Sequence, residues 1–169
     1  NVTVNIYVHG GKDAADNGNL LGDLWRGSVQ PDYVSGSYVC RWKRILSDVS
    51  GQRRFGHTMI YDPGVTDPGH GGLAGAPRGK IVIYGGITDA GALADTSNIY
   101  VVGVGTDSYS KGNWRSLTPS STPPPGRMWH AMTAAARAPD GNDRDNYIFG
   151  GERANGALVD SALWALTRP

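Results

Sequence analysis

Three times along the chain a short apolar stretch runs into a glycine doublet. Val4–Val8 and His9 precede Gly10-Gly11, Ile81–Tyr84 precede Gly85-Gly86, and Tyr147–Phe149 precede Gly150-Gly151. An apolar–aromatic pair follows each doublet. The step from Gly11 to Leu24-Trp25 equals that from Gly86 to Ile99-Tyr100, and the step from Gly151 to Leu163-Trp164 is shorter by a single position. A lone tryptophan comes next, Trp42 after Gly11 and Trp114 after Gly86, at comparable distances. An arginine follows each tryptophan at nearly the same spacing (Arg54, Arg127), and a histidine follows each arginine at an identical short step (His57, His130). One Gly-Gly alone would mean nothing. Five landmarks in one order, with such steady gaps, make this a repeat protein. Each repeat is then a unit that cannot bury its apolar faces alone and must stack on its neighbours.

The pattern inside the repeats predicts strands. Val-Asn-Ile-Tyr-Val at 4–8 alternates, as a half-buried strand does. Strands are also expected around Trp42 in Tyr38–Leu46 and over Thr58–Tyr61, with polar loops at Lys12–Leu21 and Gln30–Ser37. Ala131, Ala134, Ala135 and Ala136 are good helix formers, but the matching segment Thr58–Tyr61 is strand-like, so a strand is expected there too. Asp62–Gly79 holds Pro63, Pro68 and Pro77 among many glycines. That composition excludes a central strand or a helix and predicts a long insertion between two paired strands. The 25 glycines and 10 prolines make about a fifth of the chain, well above the usual share, which suits many tight turns between short strands. Five tryptophans and eight tyrosines argue for a packed core rather than disorder.

Charge is balanced, with 16 basic and 15 acidic residues, which leaves no electrostatic footprint for nucleic acid or an anionic membrane. No apolar run reaches the length of a membrane-spanning helix. Cys40 is the single cysteine, so no intrachain disulfide forms. The opening Asn1-Val-Thr-Val has no basic or apolar leader pattern and reads as a chain already under way in a strand.

Arg54-Phe-Gly-His57, Ile81-Val-Ile-Tyr-Gly-Gly86, Ile99-Tyr100 and Trp114, with their counterparts, resemble the kelch repeat over nearly the whole chain except Asp62–Gly79. The resemblance implies an all-β fold, a β-propeller whose four-stranded antiparallel blades surround a central channel. Within it, residues 1–52 supply the last three strands of one blade. Residues 53–119 form a complete blade carrying the 62–79 insertion, and 120–169 give the first three strands of a third. Glycine doublets at strand ends permit close approach, expected here from a neighbouring aromatic, and Trp42 and Trp114 are expected to fill the space between blades. A closed propeller has at least four blades. Completion therefore comes either from more of the same polypeptide or from blades of other subunits.

The chemistry is sparse. His57 and His130 share one repeat position, which points to a structural role, and His9 stands where the other repeats have Tyr84 and Phe149. His70 lies alone in the insertion, and no three or four ligands converge as a metal site requires. Cys40 beside Arg41 and Trp42 reads first as a small strand residue. A galactose-oxidase-like enzyme, or a carbohydrate-binding propeller with its active residues elsewhere, is the alternative. No serine-hydrolase elbow, phosphate loop or metalloprotease motif is present. No catalytic residue, metal or cofactor is therefore expected. Arg54 and Arg127 carry two readings: a salt bridge or carbonyl contact at a strand start, or a bidentate fork offered to a partner's carboxylate. Antiparallel topology puts them at the same blade end as Lys12, Ile87 and Glu152, just after the doublets. In propellers of the resembled family that end is a common place for partner peptides. The expected partner-binding set is Arg54, Arg127, Lys12, Glu152, Asp16, Asn17 and Asp89. The residues expected to hold the repeat itself are the six doublet glycines with Trp42, Trp114, His57 and His130. The 62–79 insertion is either a passive surface loop or a docking arm.

Overall fold

The structure, a computed structural model, describes residues 4–15, 18–48, 52–62, 78–94, 97–103, 115–116, 122–134 and 146–166. Among the described residues twelve strands follow in order: β1 Val4–Lys12, β2 Leu20–Asp32, β3 Ser37–Leu46, β4 Arg54–Phe55, β5 Thr58–Asp62 and β6 Arg78–Tyr84. Then come β7 Ile87–Thr88, β8 Ser97–Gly103, β9 Arg115–Ser116, β10 Ala131–Ala134, β11 Asn146–Phe149 and β12 Leu163–Leu166. Among the described residues there is no helix, and the sheets are antiparallel. The chain is all-β. It divides into two compact units, Asn1–Phe55 and Gly56–Pro169.

In the first unit β1, β2 and β3 form a three-stranded sheet in chain order. The β1–β2 ladder runs from Val4↔Val29 to His9↔Leu24, shifts register at Gly10, and resumes at Gly11↔Leu21 and Lys12↔Leu20. Gly10 has φ 62°, and this bulge lets pairing continue past the doublet. The strands therefore reach into the stretch read from sequence as the Lys12–Leu21 loop. The next loop is likewise shorter than Gln30–Ser37. Only Tyr33–Gly36 lies between β2 and β3, closed by a Gly36 N–H bond to Asp32 O (2.9 Å) and a Val34 N–H bond to the Asp32 carboxylate (3.0 Å).

Alternation gives this sheet one apolar face. Its cross-strand rows are Val4–Val29–Cys40, Ile6–Gly27–Trp42 and Val8–Trp25–Arg44. The Trp42 ring lies on Gly27, where a Cβ would sit 3.0 Å from ring carbons. The glycine that makes room for this tryptophan is therefore in mid-strand rather than in the doublet. Val4, Ile6, Val8 and Trp42 all remain about half exposed. On the other face Leu24, His9 and Arg54 are buried.

In the second unit β5, β6, β8 and β9 form a four-stranded sheet and β10, β11 and β12 a three-stranded one, each in chain order. Ile81–Tyr84 of β6 is buried throughout, which accounts for its unbroken apolar run. Asp62 pairs with Lys80, so the insertion leaves and re-enters at adjacent strand ends; residues 63–77, His70 among them, lie outside the described set. The alanine-rich Ala131–Ala134 is strand β10, paired with β11. Its row Met132–Ile148–Trp164 faces inward, with Ile148 fully buried and Met132 Sδ 3.5 Å from Thr58 Oγ1 of β5. The alternate row Ala131–Phe149–Leu163 is exposed.

Candidate functional site: paired hairpin loops on a shared brace

Each doublet in the second unit opens into a tight hairpin loop, and the two loops share one backbone frame. In the first, Thr88 N–H bonds Ala92 O (2.9 Å), Gly91 N–H bonds Thr88 O (2.9 Å) and Ala94 N–H bonds Gly86 O (2.9 Å). In the second, Arg153 N–H bonds Ala157 O (2.8 Å), Gly156 N–H bonds Arg153 O (2.9 Å) and Val159 N–H bonds Gly151 O (3.1 Å). Every backbone donor and acceptor among these maps onto its counterpart by the same shift in sequence that carries Gly86 to Gly151, while the side-chain bonds Thr88 Oγ1–H to Ala92 O (3.2 Å) and Ala157 N–H to Asn155 Oδ1 (3.1 Å) belong to one loop each. The bridges Ile87↔Leu93 and Glu152↔Leu158 match as well. Gly91 and Gly156 have φ 72° and 77°, a left-handed turn position that glycine fills without steric cost. The loop tips, Asp89–Ala92 and Arg153–Ala157, are exposed.

The segment Pro124–His130 braces both loops at their roots. Gly86 N–H donates to Arg127 O (2.8 Å), while Met128 and Glu152 exchange two backbone bonds (3.0 and 2.9 Å). Tyr84 Oη donates to Pro124 O. A Cβ on Gly85 would fall 2.2 Å from Arg127 O and 2.8 Å from His130 Cε1, and one on Gly151 2.7 Å from Met128 O. The close approach that the doublets permit is therefore made by the backbone and histidine of this brace, where the sequence suggested a neighbouring aromatic.

Arg127 is fully buried. Its Nε donates to Pro125 O (3.1 Å) and its Nη1 to Gly150 O (3.0 Å). Nη2 lies 3.7 Å from Asp160 Oδ2, too far for a hydrogen bond. The Asp160 carboxyl is held below its ordinary range chiefly by the Trp164 indole, helped by the Ala162 N–H and the Arg127 charge. His130 is buried, shares a 2.5 Å hydrogen bond between Nε2 and Thr58 Oγ1, and meets the Tyr84 ring edge-on at 5.6 Å. Burial first, and then the Arg127 charge, push its pKa down to about 4, so the ring is neutral at pH 7.

The first unit repeats this chemistry. Arg54 is buried with Nη2 3.4 Å from Gln52 Oε1, and burial lowers its pKa. His9 is buried too and is pushed down to about 4 by desolvation, then by Arg54.

Of the residues singled out from sequence, Arg54 and Arg127 sit inside the protein, with the Arg127 fork spent on carbonyls. Glu152 joins the brace through its backbone. Asp89 is exposed on its loop, and Lys12 is exposed with Nζ 5.8 Å above the Phe55 ring. Asp16, Asn17 and Trp114 lie outside the described residues. His57 is partly buried, and Trp42 half exposed on its sheet face. Cys40 is exposed. Among the described residues no three His, Cys, Asp or Glu side chains are grouped to hold a metal ion.

Sequence reading picks out the loops Ile87–Leu93 and Glu152–Leu158, with Lys12–Leu21, as polar loops at one blade end, but it missed Asp160, Thr58, Trp129 and the matching turns of the first two. One signal was available: Gly-Ala-Leu-x-Asp occurs at 91–95 and again at 156–160, at an equal step beyond each doublet. It contains both the turn glycines and Asp160. No family model matches the chain, and no curated protein matches it.

Proposed function

We propose that the chain is a kelch-type propeller segment that works as a protein-interaction module, with the hairpin loops after the glycine doublets as its partner surface. The observation that carries this is the duplicated loop. Two exposed, polar tips hang on one buried brace, and the hydrogen bonds of one loop recur in the next repeat at matching positions. A fixed frame with free tips is the arrangement by which scaffolds present binding loops. Blade-like order supports the fold half of the proposal, since four-stranded and three-stranded sheets each run in chain order and β5 lies beside β10. The buried arginines serve the frame, so partner contact falls to the loop residues Asp89, Arg153 and the Glu152 side chain of the second unit.

The test is a peptide-display selection against the chain, repeated on a variant carrying Asp89→Ala and Arg153→Ala. The proposal expects related peptides that lose about tenfold or more in affinity on the variant. Peptides that bind the variant equally well, or no enrichment at all, would remove the loops from the function.

A further inference from the structure

The sheet of the first unit ends on a long strand, and the backbone of that strand has an outward side. Among the described residues β3 pairs with β2 alone. Pro31 stands opposite Tyr38 and has no N–H to give, so this is a non-hydrogen-bonded pair. Such pairs alternate with hydrogen-bonded ones along an antiparallel ladder. Val39, Arg41 and Lys43 therefore turn their backbone groups to β2, and Tyr38, Cys40 and Trp42 turn theirs away from it. A layer stacked on either face of the sheet would leave this edge open, because stacking meets side chains and the edge offers N–H and C=O groups.

The chain that follows β3 is led away from the edge. The Asp48 carboxylate accepts from Gly22 N–H near the start of β2 (2.8 Å) and from Arg53 Nε (3.1 Å), and β4 lies against β1 and β2. The edge also carries charge of one sign. Ser37–Leu46 contains Arg41, Lys43 and Arg44 and no acidic residue, and the three cations are exposed. Arg41 and Lys43, two positions apart, share one face of the strand. Cations on an edge oppose pairing with a like edge. A second copy of β3 would bring three more cations and no carboxylate, whereas an acidic strand is the complement that the same charges admit.

We propose that the β3 edge accepts an extended acidic peptide as a further strand of the sheet. The backbone groups of Tyr38, Cys40 and Trp42 supply the pairing, and carboxylates at alternate peptide positions meet Arg41 and Lys43. This surface lies wholly in the first unit and is distinct from the loops that carry Asp89 and Arg153. Its openness depends on no repeat assignment, so either surface can fail without the other.

The experiment is amide hydrogen exchange read by NMR, on the chain alone and with an alternating valine–glutamate peptide as long as β3. In the free protein the Tyr38, Cys40 and Trp42 amides should exchange fast and those of Val39, Arg41 and Lys43 slowly. Peptide at about ten times its Kd should slow the fast set about tenfold. A valine–lysine peptide, and the valine–glutamate peptide N-methylated at every residue, should leave the fast set unchanged at that concentration. The double variant Arg41→Glu with Lys43→Glu, its fold checked by circular dichroism, should take the valine–lysine peptide instead. Three results overturn the proposal. Outward amides that are already slow in the free chain mean that the edge is paired within it. Amides that slow with protein concentration alone mean that copies pair with each other. A valine–glutamate peptide that leaves them fast, or a valine–lysine peptide that slows them equally, removes the acidic strand.

Discussion

Gly56 and Trp129 occupy the same repeat position, an equal step beyond Arg54 and Arg127, and both hold a left-handed backbone, φ 68° and 56°. Trp129 N–H donates to Gly56 O (2.8 Å), which ties the two positions together. Glycine takes this conformation freely, but a bulky L-residue there costs about 1–2 kcal/mol. Trp129 is 61% exposed, so burial offsets little of that. Trp129→Gly should therefore be more stable than Trp129→Ala by about 1 kcal/mol in urea unfolding, after glycine's own chain-entropy cost. Equal stabilities would mean the backbone is not left-handed in solution.

The two doublets should respond differently to one added methyl group. Gly85→Ala drives a Cβ into Arg127 O at 2.2 Å, backbone that cannot swing aside, and should cost about 3 kcal/mol or more. Gly150→Ala meets nothing within 4 Å and bears only its φ of 68°, so about 1 kcal/mol is expected in dilute protein. Unfolding midpoints compare them directly; matching losses would place both glycines in equally crowded sites.

Arg127 anchors the brace through carbonyls rather than through its ion pair. Arg127→Met strands the Pro125 and Gly150 oxygens and should destabilise by about 3 kcal/mol. Asp160→Asn keeps the Oδ1 acceptor for Trp164 and Ala162 and should leave the unfolding midpoint almost unchanged. A large effect of Asp160→Asn would shift the anchor to the carboxylate.

Acid should loosen both units. His9 and His130 are held near pKa 4, below the ordinary 6.5. Between those values the unfolded chain binds more protons than the folded one, so stability is full above pH 6.5 and falls as pH drops toward 4. The slope is at most about 1.4 kcal/mol per pH unit for each ring, less where water screens it. Melting curves of wild type and His130→Phe over this window check it. The variant should keep only the His9 share of the slope; an unchanged slope would exonerate His130.

The strand order was legible in the sequence because glycine, aromatic and arginine landmarks carry local steric demands that recur with each repeat. Ile81–Tyr84 and Trp42 could be placed on strands from pattern alone. What pattern could not give was the direction of the arginine fork. A guanidinium at a strand start serves a partner or a carbonyl equally well on paper, and only burial beneath Pro125 and Gly150 decides it. The Gly10 bulge was hidden for a similar reason, since a doublet reads as a strand end unless the ladder beyond it is seen to resume. Trp129 was hidden because nothing in a tryptophan announces a backbone that its counterpart fills with glycine.

The twin loops have a practical consequence. Their frames are set by backbone bonds, two turn glycines and a common brace, and in the second loop also by the Ala157 N–H bond to Asn155 Oδ1 (3.1 Å). Asp89-Ala90 and Ala154 are in effect interchangeable inserts on matched sockets. Under the interaction role proposed above, variation there would change what is recognised while the protein that carries it stays the same.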